Sequence, residues 1–190
     1  MKPFKVVMVT ILAGGISIGA AIVGQRLVND QTPRVDGLTE RHPEQLQTLP
    51  DFRLSDLDGH EIASNAWAGK ILVLNFWATW CDSCIDEMPT FIRAQEAMHE
   101  AGVQFVGIAV DRVEDVRDFI VERPVNYPLL IATPEVLALS KQLGNRLEVL
   151  PFTVIFDRHG RRVHSQIGEM EAEDLQARID RLTGTASAEL

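Results

Sequence analysis

Apolar residues come in bursts along this chain, and their spacing changes from one burst to the next. Ile71 to Trp77 is apolar at nearly every position, as in a strand buried on both faces, and Val103 to Val110 repeats that pattern. Between them Cys84, Ile85, Met88, Ile92, Gln95 and Met98 recur at helical spacing, which predicts a helix with a kink at Pro89. Upstream, Phe52-Arg53-Leu54 and Glu61-Ile62 flank Leu57-Asp58-Gly59-His60, and Asp-Gly between short apolar segments predicts a hairpin. Downstream the pattern predicts an acidic helix over Glu114 to Glu122, a short strand over Tyr127 to Ile131, and a helix from Pro134 to Leu143 with proline in its first turn behind Thr133. A strand over Phe152 to Phe156, a turn at Asp157-Arg158-His159-Gly160, an antiparallel strand over Arg162 to Ile167 and a terminal helix over Glu171 to Leu182 complete the series. Strands alternating with helices, then a hairpin and a last helix, predict an α/β domain with a mixed central sheet covered on both faces.

The N-terminal pattern is of another kind. Lys2 and Lys5 precede an uncharged stretch from Val6 to Gln25 that ends at Arg26. About 20 such residues suffice to cross roughly 30 Å of hydrocarbon, whereas cleaved signal peptides have apolar cores of about 7–15. We read residues 1–26 as a membrane anchor with its start in the cytoplasm; cleavage near Gly19-Ala20-Ala21 is the alternative. Residues 27–50, polar and interrupted by Pro33, Pro43 and Pro50, read as a flexible tether, 51–183 as the domain, and 184–190 as a disordered tail.

Charge and composition narrow the chemistry. A net charge of −9 over 190 residues argues against nucleic-acid binding, which needs clustered Lys and Arg. Two cysteines are too few for a disulfide framework or an all-thiolate zinc site. The five histidines, His42, His60, His99, His159 and His164, are scattered and read as solvated surface residues, so neither a metal site nor a cofactor is expected. Both cysteines lie in Trp80-Cys81-Asp82-Ser83-Cys84, where a buried strand hands over to a helix. Two thiols separated by two residues can close on each other and cycle between dithiol and disulfide.

The stretch Leu72-Val73-Leu74-Asn75-Phe76-Trp77-Ala78-Thr79-Trp80-Cys81-Asp82-Ser83-Cys84-Ile85-Asp86-Glu87-Met88-Pro89 resembles the active-site region of thioredoxin-like proteins, and more closely the membrane-anchored TlpA/ResA/CcmG branch. Leu150-Pro151-Phe152-Thr153 is similar to that family's cis-proline loop, and the resemblance extends over about Pro50 to Leu182. Three details set the branch apart from cytosolic thioredoxins. Asn75 stands in place of a buried Asp, Glu87 follows the second cysteine, and Glu114 to Ile131 corresponds to a central helix–strand insertion. The resemblance implies a thioredoxin-like fold with an N-terminal hairpin and that insertion, preceded by one transmembrane helix. It also implies a thiol-disulfide oxidoreductase on a bacterial cytoplasmic membrane, with its domain in the periplasm or extracytoplasmic space. The implied partners are a disulfide-containing client, such as apocytochrome c or copper-site cysteines, and a transmembrane electron donor.

Residue by residue, Cys81 is expected in the first turn or cap of its helix, where free N–H groups and the helix dipole favour the attacking thiolate. Cys84, one turn on, is the resolving thiol; a static structural disulfide is the bland alternative. Asp82 and an ionised Glu87 both oppose thiolate formation, which favours the disulfide state and makes the pair an electron donor. Glu87 is a candidate proton carrier for Cys84, against the alternative of an exposed helix carboxylate. Trp80, Leu150 and Pro151 are candidate client contacts, with Trp77 in the core. A redoxin-group peroxidase is disfavoured because Ala78 stands where those enzymes carry a hydroxyl residue. A Cu(I) delivery protein is disfavoured because no His or Met converges on the thiols.

Overall fold

The computed structural model describes residues 45–184. The expected anchor, the tether through residue 44 and the tail beyond residue 184 lie outside those residues. Among the described residues no helix is long and apolar enough to cross a membrane.

A five-stranded sheet forms the centre. In chain order its strands are β3 (Ile71–Trp77), β4 (Val103–Ala109), β5 (Leu129–Ile131), β6 (Phe152–Phe156) and β7 (Arg162–Ile167), and in space they run β5-β4-β3-β6-β7. The pairs β3–β4 and β4–β5 are parallel, while β6 and β7 join antiparallel, so the sheet is mixed as the pattern predicted. A separate antiparallel hairpin, β1 (Arg53–Ser55) and β2 (Glu61–Ala63), turns at Asp58-Gly59, where Gly59 takes the positive φ of 87° that the turn requires.

Alternation along β3 sorts the core into two layers. Ile71, Val73 and Trp77 point to one face, against helices α1 (Asp82–Met98), α2 (Val113–Glu122) and α4 (Ala172–Thr183). Leu72, Leu74 and Phe76 point to the other, against the hairpin, Trp67 and helix α3 (Pro134–Leu143). Asn75 shares the face of Val73 and Trp77, so a polar side chain is delivered into an apolar layer, opposite Thr153 of β6.

Two elements depart from expectation. Residues 45–50, read as the end of a tether, are bonded to the domain: the Leu46 amide donates to Gln142 O at 2.8 Å, the Leu49 amide to Gly160 O at 2.7 Å and the Arg162 amide to Gln47 O at 2.7 Å. Leu46 and Leu49 pack onto the second core layer, which is what holds a segment whose polarity suggested freedom. A 3₁₀ turn over Ser64–Trp67 was not foreseen; one turn is too short for a periodicity to register, but it buries Trp67. Helix α1 runs as one element of 17 residues through Pro89, whose side chain is exposed.

Candidate active site

Strand β3 ends in the middle of the sheet, and three residues, Ala78-Thr79-Trp80, carry the chain to α1. Cys81 is the N-cap, with extended φ/ψ of −103°/100°, and its carbonyl accepts the amides of Cys84 and Ile85 at 3.1 Å each. The helix therefore starts directly behind the first sulfur. Cys84 follows one turn later on the buried face. The two sulfurs are joined, S–S 2.04 Å with Cα atoms 5.3 Å apart, so the chain is in its oxidised form. Cys81 is the more accessible of the pair, at 8% against 1%. Ser83 Oγ stands 3.7 Å from Cys81 Sγ.

Glu87 lies one turn beyond Cys84 and is buried, not exposed as an isolated helix carboxylate would be. The sequence pattern set Cys84, Ile85, Met88, Ile92, Gln95 and Met98 on one face of α1; Cys84, Met88, Gln95 and Met98 are buried as that pattern implies, while Ile85 and Ile92 are only half-buried. The observed inner face runs through Cys84, Glu87, Met88, Phe91, Ala94, Gln95 and Met98. Asn75 Nδ2 donates to Glu87 Oε1 at 2.7 Å and to Thr153 Oγ1 at 3.0 Å, and the Met170 amide donates to Glu87 Oε2 at 2.9 Å. Burial drives the Glu87 carboxyl upward, the Met170 and Asn75 hydrogen bonds pull back, and repulsion from Glu169 adds a push, leaving it at about 7 instead of 4.5. A carboxyl with that value is half-protonated near neutrality and can both take and return a proton. Thr153 and the Met170 amide are participants that sequence reasoning missed. A lone Asn inside a buried strand was the one local sign that a partner waited opposite it.

Trp80 is 67% exposed beside Cys81, while Trp77 is fully buried. The Leu150–Pro151 bond is cis. Trp80 and Leu150 line one groove of about 430 Å³, together with Phe76, Val110, Leu137 and Val149. The segment entering Pro151 is held by Asn145, whose Nδ2 donates to Val149 O at 3.0 Å and whose Oδ1 accepts the Val149 amide at 3.1 Å. That clamp was not foreseen; an Asn directly after the helix-ending Gly144 is its only local trace.

Of the described histidines, His60, His99 and His159 are exposed. His164 departs from the expected solvated state, because β7 turns it toward α4; burial lowers its pKa. Among the described residues Asp56, Asp58 and His60 place ligand atoms within 4.8 Å of one another. There Asp56 Oδ1 caps the hairpin turn by accepting the amides of Asp58 and His60.

A cysteine pair in CxxC spacing, capping a helix at the centre of a mixed sheet, defines a thiol-disulfide oxidoreductase of thioredoxin-like fold. The comparisons agree. The chain belongs to the Redoxin family, whose model matches residues 45–180, and within it to the thioredoxin-like ResA/CcmG group. It is 30% identical over 135 residues to the thiol-disulfide oxidoreductase ResA of Bacillus cereus, covering 70% of this chain and 76% of that protein. ResA of Geobacillus kaustophilus is 30% identical over 134 residues, covering 70% and 75%. A thiol:disulfide interchange protein of the thioredoxin family from Chlorobium tepidum TLS superposes with a TM-score of 0.67 at 26% identity, over 73% of this chain and 97% of that one.

Proposed function

We propose that this chain is a membrane-tethered, extracytoplasmic reductase of protein disulfides. The observation that carries the reading is the placement of Cys81 at the cap of α1, with Cys84 bonded to it and a buried Glu87 one turn behind. In the reduced protein the Cys81 thiolate attacks one sulfur of a client disulfide. A mixed disulfide forms, and the client's other sulfur leaves as a thiolate that takes a proton. Cys84 then gives its proton to the Glu87 carboxylate and attacks Cys81 Sγ, and the client's second sulfur departs and is protonated. Two electrons pass to the client, whose thiolates take one proton from solvent and one from Cys84 by way of Glu87, and the Cys81–Cys84 disulfide is left behind. A transmembrane electron donor restores the dithiol, since an extracytoplasmic space lacks a soluble reducing pool.

Trp80, Leu150 and Pro151 are assigned to the client. Trp80 offers an exposed ring beside the attacking sulfur, and Pro151 has no N–H to compete for the backbone of an extended segment laid against Leu150. The uncharged run Val6 to Gln25 behind Lys2 and Lys5 supports the tether, and apocytochrome c or copper-site cysteines are the proposed client class. The test uses the full-length chain in detergent. Reduced wild type should convert an oxidised apocytochrome c peptide to its dithiol, Cys84→Ala should accumulate a covalent mixed disulfide through Cys81, and Cys81→Ser should do neither. Turnover by Cys81→Ser equal to wild type overturns the reading.

A further inference from the structure

The attacking cysteine is carried on a three-residue loop, and that loop is fastened by a group outside the site described above. Asp111 follows β4, whose register holds it beside the end of β3: Val110 N donates to Trp77 O at 2.8 Å. Asp111 Oδ2 accepts two hydrogen bonds from Thr79, from its amide at 3.0 Å and from its hydroxyl at 2.5 Å, and Oδ1 accepts the Arg112 amide at 2.9 Å. Thr79 immediately precedes Trp80 and stands two residues before Cys81. One carboxylate therefore binds the loop that presents both the exposed ring and the sulfur.

The loop's own bonds do not supply this hold. Its internal contact is the Cys81 amide to Ala78 O, at a long 3.3 Å. Trp80 is too exposed to anchor anything by packing. Hydrogen bonds to an ionised acceptor are roughly twice as strong as neutral ones, and here two of them converge on a single residue. Burial raises the Asp111 carboxyl, but the hydrogen bonds from Thr79 and Arg112 more than offset it and hold the group below the ordinary carboxylate range, so the clasp persists at neutral pH. The charged groups that act on Asp111 are Asp115, which shares a hydrogen bond with it, and Arg112, paired with Asp115 at 2.6 Å on the α2 side.

We infer that Asp111 is a positioning residue for the thiol chemistry: through Thr79 it fixes the loop so that Cys81 sits at the cap of α1 with its sulfur over the helix N-terminus. Two effects of the carboxylate compete. Its charge opposes a nearby thiolate, and its grip places that thiolate where the helix end favours it. The grip prevails, because two of the loop's hydrogen bonds end on this carboxylate, whereas its charge lies at a partly exposed site where water and salt screen it. This inference rests on the proposed role of Cys81 as the attacking thiol.

The experiment measures, on the full-length reduced chain in detergent, the pH midpoint of Cys81 alkylation by iodoacetamide and the rate of client-disulfide reduction. Asp111→Ala should slow reduction about tenfold, the order expected for losing bonds to a charged acceptor, and should raise the Cys81 midpoint. Asp111→Asn, which keeps an oxygen for Thr79 but gives up the charge, should recover part of the lost rate and bring the midpoint back from its raised value toward wild type or below it. A wild-type midpoint and rate in Asp111→Ala overturn the inference, as does an Asn variant no better than the Ala variant, or a midpoint that falls below wild type in Asp111→Ala. If Asp111→Ala does not fold, Thr79→Val decides: with the helical circular dichroism retained, its midpoint should rise, and an unchanged midpoint overturns the inference. Failure of the proposed function would look different, because wild type itself would then reduce no client.

Discussion

Replacing Glu87 by Gln gives the sharpest test of the buried carboxyl. In the unfolded chain this group titrates near 4.5, and in the fold near 7. Between those values the folded protein holds a proton that the unfolded chain has released. Stability from this group is therefore complete below pH 4.5 and is lost as pH rises through 7. At about 1.4 kcal/mol per pH unit, a displacement of that size amounts to about 3 kcal/mol, all of it gone by pH 8. Gln cannot ionise, so Glu87→Gln should lack this component.

The variant carries a second, pH-independent effect. A carboxyl offers an oxygen each to Asn75 and to Met170, and Gln offers only one in total, so one buried donor loses its acceptor at a cost of about 1–3 kcal/mol. Comparing the two proteins at both pH values separates the effects. At pH 4.5 wild type should be the more stable; by pH 8 the difference should shrink or reverse, moving by about 3 kcal/mol in the variant's favour. Urea unfolding of the oxidised chain, followed by the fluorescence of buried Trp67 and Trp77, measures both differences. Parallel pH profiles for the two proteins would refute the reasoning, because no proton would then be linked to Glu87 between those limits.

Other substitutions test neighbouring pieces. Asn75→Ala removes the Nδ2 donor that lowers the Glu87 pKa, so the upper end of the pH-dependent stability loss should move above 7; an upper end that stays or falls shows that Asn75 does not act on the carboxyl. Trp80→Ala should leave urea stability within about 0.5 kcal/mol, as for exposed sites, while raising KM for a protein client more than it lowers kcat. Gly107→Ala should destabilise by about 1–3 kcal/mol in the same unfolding assay, because a Cβ there would stand 2.6 Å from Leu129 Cδ2 and 2.9 Å from Trp77 Nε1.

What could be read in the sequence follows how far each signal reaches along the chain. The strand Ile71–Trp77 and the helix opening at Asp82 announce themselves within ten residues, through apolar runs and the strand–Cys–helix handover. Helix α3 behind Thr133 was legible to the residue, because proline at a helix start is a local signal. The surroundings of Glu87 were not legible. Thr153 meets Asn75 through a register 78 residues apart, and Met170 reaches Glu87 from 83 residues away. Asp111 escaped for the same reason: it meets Thr79 only because β4 runs parallel to β3 in a register that pairs Trp77 with Ala109. Periodicity says which residues turn inward but not which of them meet, and the polar groups under the disulfide are assembled by meetings.

Those meetings also redistribute the weight of the redox argument. From sequence, Asp82 and Glu87 have equal standing as anions opposing the thiolate. Asp82 is exposed at the first position of α1, where water and salt screen its field. Glu87 is buried, and residues three apart on a helix hold their Cβ atoms about 5–6 Å from each other, so its charge acts on Cys84 with little solvent between. Its proton is also shared out near neutrality, so the opposition grows as the carboxyl ionises. Under the proposed reading, the preference for the disulfide state, and hence for donating electrons, is set by Glu87 far more than by the residue between the cysteines. Glu87→Gln should therefore move the reduction potential of the pair in the oxidising direction at pH 8, and Asp82→Asn should move it much less. Equilibration against glutathione ranks the two shifts, and a larger shift from Asp82→Asn would return the weight to the exposed charge.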